Sequence, residues 1–499
     1  GIPELGYTDW RKELIRTAHN QNYEVSASGG NERTTFYASL GFNRQEGLVE
    51  NSSLDRYSAR LNMTQKIGSR AEVGGNMMFT QMNQEMNEER GSNINPFLCV
   101  AVSATPSMPV RDASGNYVGS YAGTNVNPLR DIRTDYNRSR ITRMFSTGYA
   151  SVDIIKGLKL KETLSYDYAV QKDSRYLNPL SGAGPKSGSD AQTSKGFTEY
   201  GKLLSSTSLN YTRTFAAKHH LDVLAAYELE SYQSDKAMGE KSKLPSDVLL
   251  EPDNAAVLKS FVSSTQAYRM ISYLSRLNYD YDNRYYIAGS YRRDGSSRLA
   301  PESRWGDFWS VSGMWHLSSE PFMEAVKPVL NDVKIRASYG VLGEELGTAL
   351  SHIVGYNYND GGAVIDGGLV TGSTVTGLAT DNITWGKSKI LNIGIDLGFL
   401  DNRLNASFDY FNRDQTGLLA SRYDVQIPEE VGFSLPQENL NSNYARGFDA
   451  SVNWRDRIGD VNYTVGGNVT YSRWYVGDRY KPRFSSEWQK FRYQAGNIK

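Results

Sequence analysis

Few side chains in this sequence are spaced for chemistry. The five histidines, His19, His219, His220, His316 and His352, form no helical His-Glu pair of the kind that holds zinc. His219-His220 falls in a short polar turn, where solvation is the expected role. The carboxylates Asp294, Glu302 and Asp307 bracket one loop, but loops commonly hold such pairs without hydrolysing anything. Asp360 and Asp366, beside Gly361-Gly362 and Gly367-Gly368, suggest a calcium loop, yet the ligand spacing is irregular and a mobile surface loop is expected. Cys99 sits within Phe97-Leu98-Cys99-Val100-Ala101, so burial is expected rather than reactivity. No catalytic residue, metal or cofactor is expected.

Binding chemistry is better represented. Tyr117, Tyr121, Trp305 and Tyr356 lie in polar stretches beside Asn, Asp and Arg. Such groups stack on sugar rings or peptide planes and hydrogen-bond around them. With Asp294 and Arg298 they form the candidate ligand contacts. The competing role is plain loop packing, and Asp294-Gly295-Ser296-Ser297 is also ordinary turn chemistry.

The elements that must position these residues are β-hairpins. In 391–399 and 404–410, large apolar residues alternate with Asn, Gly, Asp and Ser, the period of a strand, and Asp401-Asn402 joins the two arms. The same pattern recurs around Gly29-Gly30-Asn31-Glu32, Gly68-Ser69, Lys156-Gly157, Ala216-Ala217-Lys218, Asp282-Asn283-Arg284, the longer join 318–331, and 455–460. Together these make about 16 strands in about eight hairpins. Between hairpins run long polar stretches, 43–56, 80–141, 170–202, 229–269, 294–306, 342–388 and 413–445. Pro96, Pro106, Pro109 and Pro128 mark the 80–141 stretch as a structured excursion.

A soluble sandwich would bury the apolar faces in a core. A transmembrane barrel would turn them to lipid, with short turns at one end and long loops at the other. The alternation of short and long joins favours the all-β, antiparallel transmembrane barrel. Strands of about ten residues would cross its apolar band of about 25 Å. The 33 tyrosines, many near strand ends, suit aromatic girdles as well as ordinary strand propensity. Net charge is zero, without a block of like charge, so no nucleic-acid partner is expected. Mean hydropathy is −0.53, and no apolar run approaches the about 18 residues of a membrane helix. One cysteine leaves no internal disulfide. Gly1-Ile2-Pro3 shows no leader pattern, and the chain reads as part of something longer.

A family resemblance rests on Thr8-Asp9-Trp10, Arg16-Thr17-Ala18, Gln21-Asn22 and Ser26-Ala27-Ser28-Gly29-Gly30. It continues through Tyr37-Ala38-Ser39-Leu40-Gly41, Gln45-Glu46-Gly47 and Arg56-Tyr57-Ser58-Ala59-Arg60-Leu61-Asn62. Arg292-Arg293-Asp294-Gly295-Ser296-Ser297-Arg298, Arg304-Trp305-Gly306, Ser319-Glu320-Pro321-Phe322-Met323, Lys334-Ile335-Arg336-Ala337-Ser338-Tyr339-Gly340, Asn392-Ile393-Gly394-Ile395-Asp396 and Asn402-Arg403-Leu404 complete it. In this order they resemble the SusC/RagA-type TonB-linked outer-membrane transporters. The resemblance implies a plugged barrel of about 22 strands, of which this chain would hold the middle without the plug. Residues 1–20 would lead into the barrel, 21–471 would form it, and 472–499 would begin the next outer region. It also implies an active importer in the bacterial outer membrane, in contact with lipid, that takes up an oligosaccharide or oligopeptide. Its partners would be the TonB complex, acting through the plug, and a SusD-like surface lipoprotein. A passive porin and a secreted β-rich carbohydrate-binding protein remain the alternatives.

Overall fold

The computed structural model describes residues 7–497, apart from 88–94, 103, 120–126, 181–189, 347–351, 376, 423, 424, 426, 429, 431, 433, 434 and 481–485. Its strands are β1 (Asn20–Gly30), β2 (Thr34–Glu46), β3 (Ser53–Ile67), β4 (Ala71–Glu85), β5 (Tyr136–Ile155), β6 (Leu158–Leu177), β7 (Gln192–Phe215), β8 (His219–Ser242) and β9 (Val257–Tyr281). They continue as β10 (Tyr285–Ser296), β11 (Trp305–His316), β12 (Leu330–Glu344), β13 (Tyr356–Ile365), β14 (Gly368–Val375), β15 (Gly386–Phe399), β16 (Leu404–Ser421), β17 (Gln437–Ile458) and β18 (Val461–Val476). Short helices are α1 (Trp10–Leu14), α2 (Pro96–Val102), α3 (Pro128–Thr134) and α4 (Glu487–Tyr493). A 16-stranded sheet takes all strands in sequence order except β13 and β14, which pair with each other alone.

The chain divides into two compact units: 1–152 with 162–205 and 230–267, and 153–161 with 206–229 and 268–499. In the second unit the hairpin logic is explicit. β15 pairs with β16 in unbroken register from Phe399↔Leu404 to Lys387↔Thr416. The turn between them holds Leu400, Asp401 and Asn402 at φ 55°, 57° and 60°, a region Asp and Asn tolerate because their side chains can bond locally. Asp282 and Asn283 repeat the device at φ 55° and 54°.

Register then aligns one face across strands. Ile395 lies opposite both Ile335 and Phe408, Ile335 opposite Trp315, Phe408 opposite Ala450, and Ala450 opposite Val469. These side chains are not covered by a second layer: Val469 is 54%, Phe408 45% and Ile335 38% exposed. A soluble sandwich would bury this stripe, so the exposure marks a face made for an apolar solvent.

The opposite face of the same strands is polar and paired. The Arg336 guanidinium donates from Nε and Nη2 to Asp396 at 2.8 and 2.9 Å, and from Nη1 and Nη2 to Asp409 at 3.0 Å each. Gly394 lies beneath the fork, where a Cβ would come within 2.9 Å of Arg336 Nη2. Glycine there leaves room for the ion triad.

The strands run past the expected ends. β7 and β8 reach 24 residues and β9 reaches 25, against about ten needed to cross an apolar band. Much of 170–202 and 229–269 is therefore strand rather than loop, because ladder pairing satisfies the backbone in water as well as in lipid. The expected alternation of short and long joins also softens. The outer joins 47–52 and 297–304 are short, whereas 317–329, at the opposite strand ends, is long and holds two turns of 3-10 helix. The glycine-rich stretch around 361–368 forms the β13–β14 hairpin rather than an irregular loop, turning at Asp366 and Gly367 with positive φ.

Ile395→Arg should lower the unfolding free energy in liposomes by roughly 2–4 kcal/mol. Asp396→Asn should cost only about 1 kcal/mol, because Asp409 still accepts from Arg336 and the site is partly solvated. Urea unfolding of the full-length protein compares the two. An equal loss would mean that the polar triad carries as much stability as the lipid face.

Candidate functional site

In the first unit, residues 7–19 pack with 96–102, 104–119 and 127–134 into one body. Asp9 caps α1 by accepting from Lys12 N at 3.3 Å, and the helix buries Trp10 and Leu14. Trp10 joins Met108 and Leu129 in one apolar cluster, and Leu14 joins Val49 and Ile132 in another. Trp10 Nε1 donates to the Thr105 carbonyl at 3.0 Å, and Thr8 N donates to the Pro106 carbonyl at 2.8 Å.

Asn127 organises the centre of this body. It is fully buried, and its side chain is saturated. Oδ1 accepts from Leu129 N and Arg130 N at 3.1 Å each, while Nδ2 donates to the Val110 and Val118 carbonyls at 3.0 and 2.8 Å. Asn at the cap followed by Pro128 is a strong helix-start signal. The signal was present in the sequence, but nothing local showed that this cap would also bind two distant carbonyls.

Beside α3 lies a cavity of about 180 Å³, lined by Asn51, Glu85, Asp131, Arg133, Tyr136 and Arg138 among others. Arg133 forms a fork with Glu50 at 2.9 and 3.0 Å, and Arg138 reaches Glu85 at 2.9 Å. The Arg138 guanidinium lies 4.9 Å from the Tyr136 ring centroid, and Tyr136 stacks on Tyr176. The Arg133 fork holds the Glu50 carboxyl below its ordinary range. Burial pushes the Cys99 thiol up to about 11, with Asp131 adding to the rise, so it is an inert apolar contact at neutral pH.

The candidate contacts do not converge. Tyr117 stacks under Arg111 at 3.8 Å and packs on the Trp10–Met108–Leu129 cluster. Tyr121 lies outside the described residues. Asp294 is buried and accepts from Arg292 Nε at 2.7 and 2.8 Å, while Arg292 also reaches Glu228 at 3.1 Å and Ser272 at 2.8 Å. Arg298 lies 3.6 Å from Glu345 and over the Tyr268 ring. These two therefore shape a corner beside the buried cluster of Leu299, Phe308, Ile383 and Trp385. Trp305 stands on the apolar face, with Tyr273 at 6.3 Å. Tyr356 is 59% exposed at the root of β13.

The polar face of the second unit holds a larger hollow of about 600 Å³, with Asp222, His220, Asn278, Tyr286, Arg336 and Ser338 in its wall. His220 is bonded to Thr214 at 2.9 Å. His219 is not simply solvated: its Nδ1 lies 2.8 Å from Tyr279 Oη, and its ring packs on Tyr281. Among the described residues no three His, Cys, Asp or Glu side chains gather as a metal site.

Residues 89–496 match the family described as TonB dependent receptor-like, beta-barrel. The chain belongs to that family. It is an outer-membrane β-barrel chain of the SusC/RagA type. It is 26% identical over 473 residues to TonB-dependent receptor P3 of Formosa agariphila, covering 93% of this chain and 46% of that protein. With TonB-dependent receptor SusC of Bacteroides thetaiotaomicron it shares 24% identity over 497 residues, covering 93% of this chain and 48% of that protein. The solved RagAB peptide transporter superposes with TM-score 0.82 at 24% identity over 94% of this chain and 52% of that one, which shows the shared fold. The chain thus spans about half the length of the relatives it matches.

Glu50 supplies a pH test. Its native pKa is lowered, so its stabilising contribution is present above the unfolded carboxyl value of about 4.3 and is lost as pH falls through the lower native value. Hydrogen exchange across 128–134 should accelerate below about pH 4 beyond the intrinsic trend, and Glu50→Gln should show the faster exchange already at pH 7. Protection independent of pH in the native protein would remove the ion pair from the account.

Proposed function

We propose that the full protein is an active importer of a large nutrient, an oligosaccharide or oligopeptide, energised by a TonB complex through a plug domain. In this reading a SusD-like surface lipoprotein closes over the outer loops, substrate is captured between the two, and plug movement releases it inward. Residues 21–471 serve as barrel wall, 1–20 as the segment before its first strand here, and 472–499 as the start of a further outer region.

The observation that carries this reading is the match to TonB-dependent receptors across nearly the whole chain. RagAB is a peptide importer, which supports the peptide arm, and the family resemblance of the sequence motifs leaves the sugar arm open. Arg133, Arg138 and Tyr136, which line the cavity beside α3, offer hydrogen-bond donors and a ring face to either class. Tyr356 and Tyr117 stay with the outer loops and remain proposed contacts, and Tyr121 is kept as a proposed contact from the sequence alone. Asp294 and Arg298 are better read as supports for the loop that carries them.

The test keeps the barrel and spoils the outer body. Leu129 is 1% exposed within its cluster, so Leu129→Asp should unfold the excursion locally. Uptake of the nutrient should then fall by roughly tenfold or more, while heat-modifiable migration and membrane insertion persist. Uptake that survives a protonophore would point to a passive channel instead. Comparing labelled oligosaccharides with labelled peptides in the native strain assigns the substrate class.

A further inference from the structure

The apolar face of β9–β12 changes character near the strand ends that carry the outer joins. On β10, Ile287 is followed on the same face by Tyr291 and then Arg293. On β9, Leu277 is followed by Tyr273, Ile271 and Arg269, and on β11, Val311 by Trp309, Asp307 and Trp305. The face passes from an aliphatic layer to one where aromatic rings and charged groups mix, with Arg293 and Asp307 level with Tyr273, and Trp305, Ile271 and then Arg269 beyond them. Tyr273, Tyr291, Trp309 and Trp305 are 49%, 43%, 46% and 40% exposed, and both arginines are exposed.

Hydrocarbon, interface and headgroup follow in that order at a membrane surface. A guanidinium on a lipid-facing strand is costly in hydrocarbon but favourable against an anionic headgroup. Arg293 is held rather than free to wander. Its guanidinium lies 5.4 Å from the Trp305 ring centroid, and Nη1 lies 3.7 Å from Asp307 Oδ1. Asp307 takes its short bond elsewhere, from Tyr291 Oη at 2.5 Å. The Tyr291 hydroxyl also bonds to the Arg293 fork, which leaves part of its N–H donors for a ligand. Arg269 has no ion-pair partner among the described residues. Two arginines against one carboxylate leave the layer net positive.

We propose that Arg269 and Arg293, with Trp305 and Tyr273 as the apolar floor, bind the phosphate-bearing headgroup of an outer-leaflet lipid. Arg293 supplies paired N–H donors to phosphate oxygens, Trp305 holds its plane, and the acyl chains continue down the Val311–Ile287–Leu277 stripe. Trp305 then serves lipid contact instead of substrate contact. The site is independent of which nutrient is carried.

The test is native mass spectrometry of the full-length protein in neutral detergent, titrated with diphosphoryl lipid A. The wild type should retain a lipid adduct, and the Arg269→Gln, Arg293→Gln double variant should need roughly tenfold more lipid for the same occupancy. Lipid A treated with phosphatase should bind wild type and variant alike and weakly. Arg457→Gln, at the opposite strand ends, should change nothing. Heat-modifiable migration checks folding. If the double variant fails to fold, the wild type alone decides, because phosphate binding must weaken with added salt. Equal occupancy in the folded variant, undiminished binding of dephosphorylated lipid, or binding indifferent to salt would each overturn the proposal.

Discussion

Everything in this molecule depends on a strand having two faces that must satisfy two solvents. In hydrocarbon no backbone N–H or C=O can be left to water, so the ladder must be continuous. The unbroken β15–β16 register shows this, and a shift of one residue would turn Ile393, Ile395 and Leu397 into the polar hollow and Asn392 and Asp396 into lipid. Stability in such a fold comes less from a buried core than from keeping that register. Among the described residues the buried apolar clusters lie largely beyond the ladder, around Trp385 and around Trp10 and Leu14.

The polar face is not a mere absence of apolar residues. Arginines there are matched to carboxylates on the same or nearby strands, Arg336 with Asp396 and Asp409, Arg292 with Asp294 and Glu228, and Arg143 with Asp167. The pairs that span strands favour one pairing register, and all of them lower the cost of placing charge on this face. The same residue type on the opposite face answers to a different constraint. Arg293 lies one position from Arg292, and the pleat alone sends it to the lipid side among aromatic rings.

At the outer strand ends the chain builds a small water-soluble core on top of a membrane fold. Residues 96–102, 104–119 and 127–134 pack with α1 and the 47–52 join, with Asn127 saturated at the centre. A packed body of this kind can present Arg133, Arg138 and Tyr136 in fixed relation, which a loose loop could not.

The sequence by itself determined the hairpins, because period-two alternation and turn residues are local signals. All eight expected pairs are present, and so is the family, whose motifs are contiguous strings. It also pointed to a structured excursion, through its prolines. Tertiary structure alone decided where strands end, since pairing continues wherever a neighbour remains to be paired. It decided too what Asp294, Arg298 and Trp305 touch. Asp294 and Trp305 are near neighbours in the chain, and both looked like loop groups poised for ligand. Yet Asp294 enters a buried ion pair with Arg292, while Trp305 lies on the apolar face beside Tyr273 and Arg293. Which face a residue takes follows from register across strands, and register depends on partners tens of residues away.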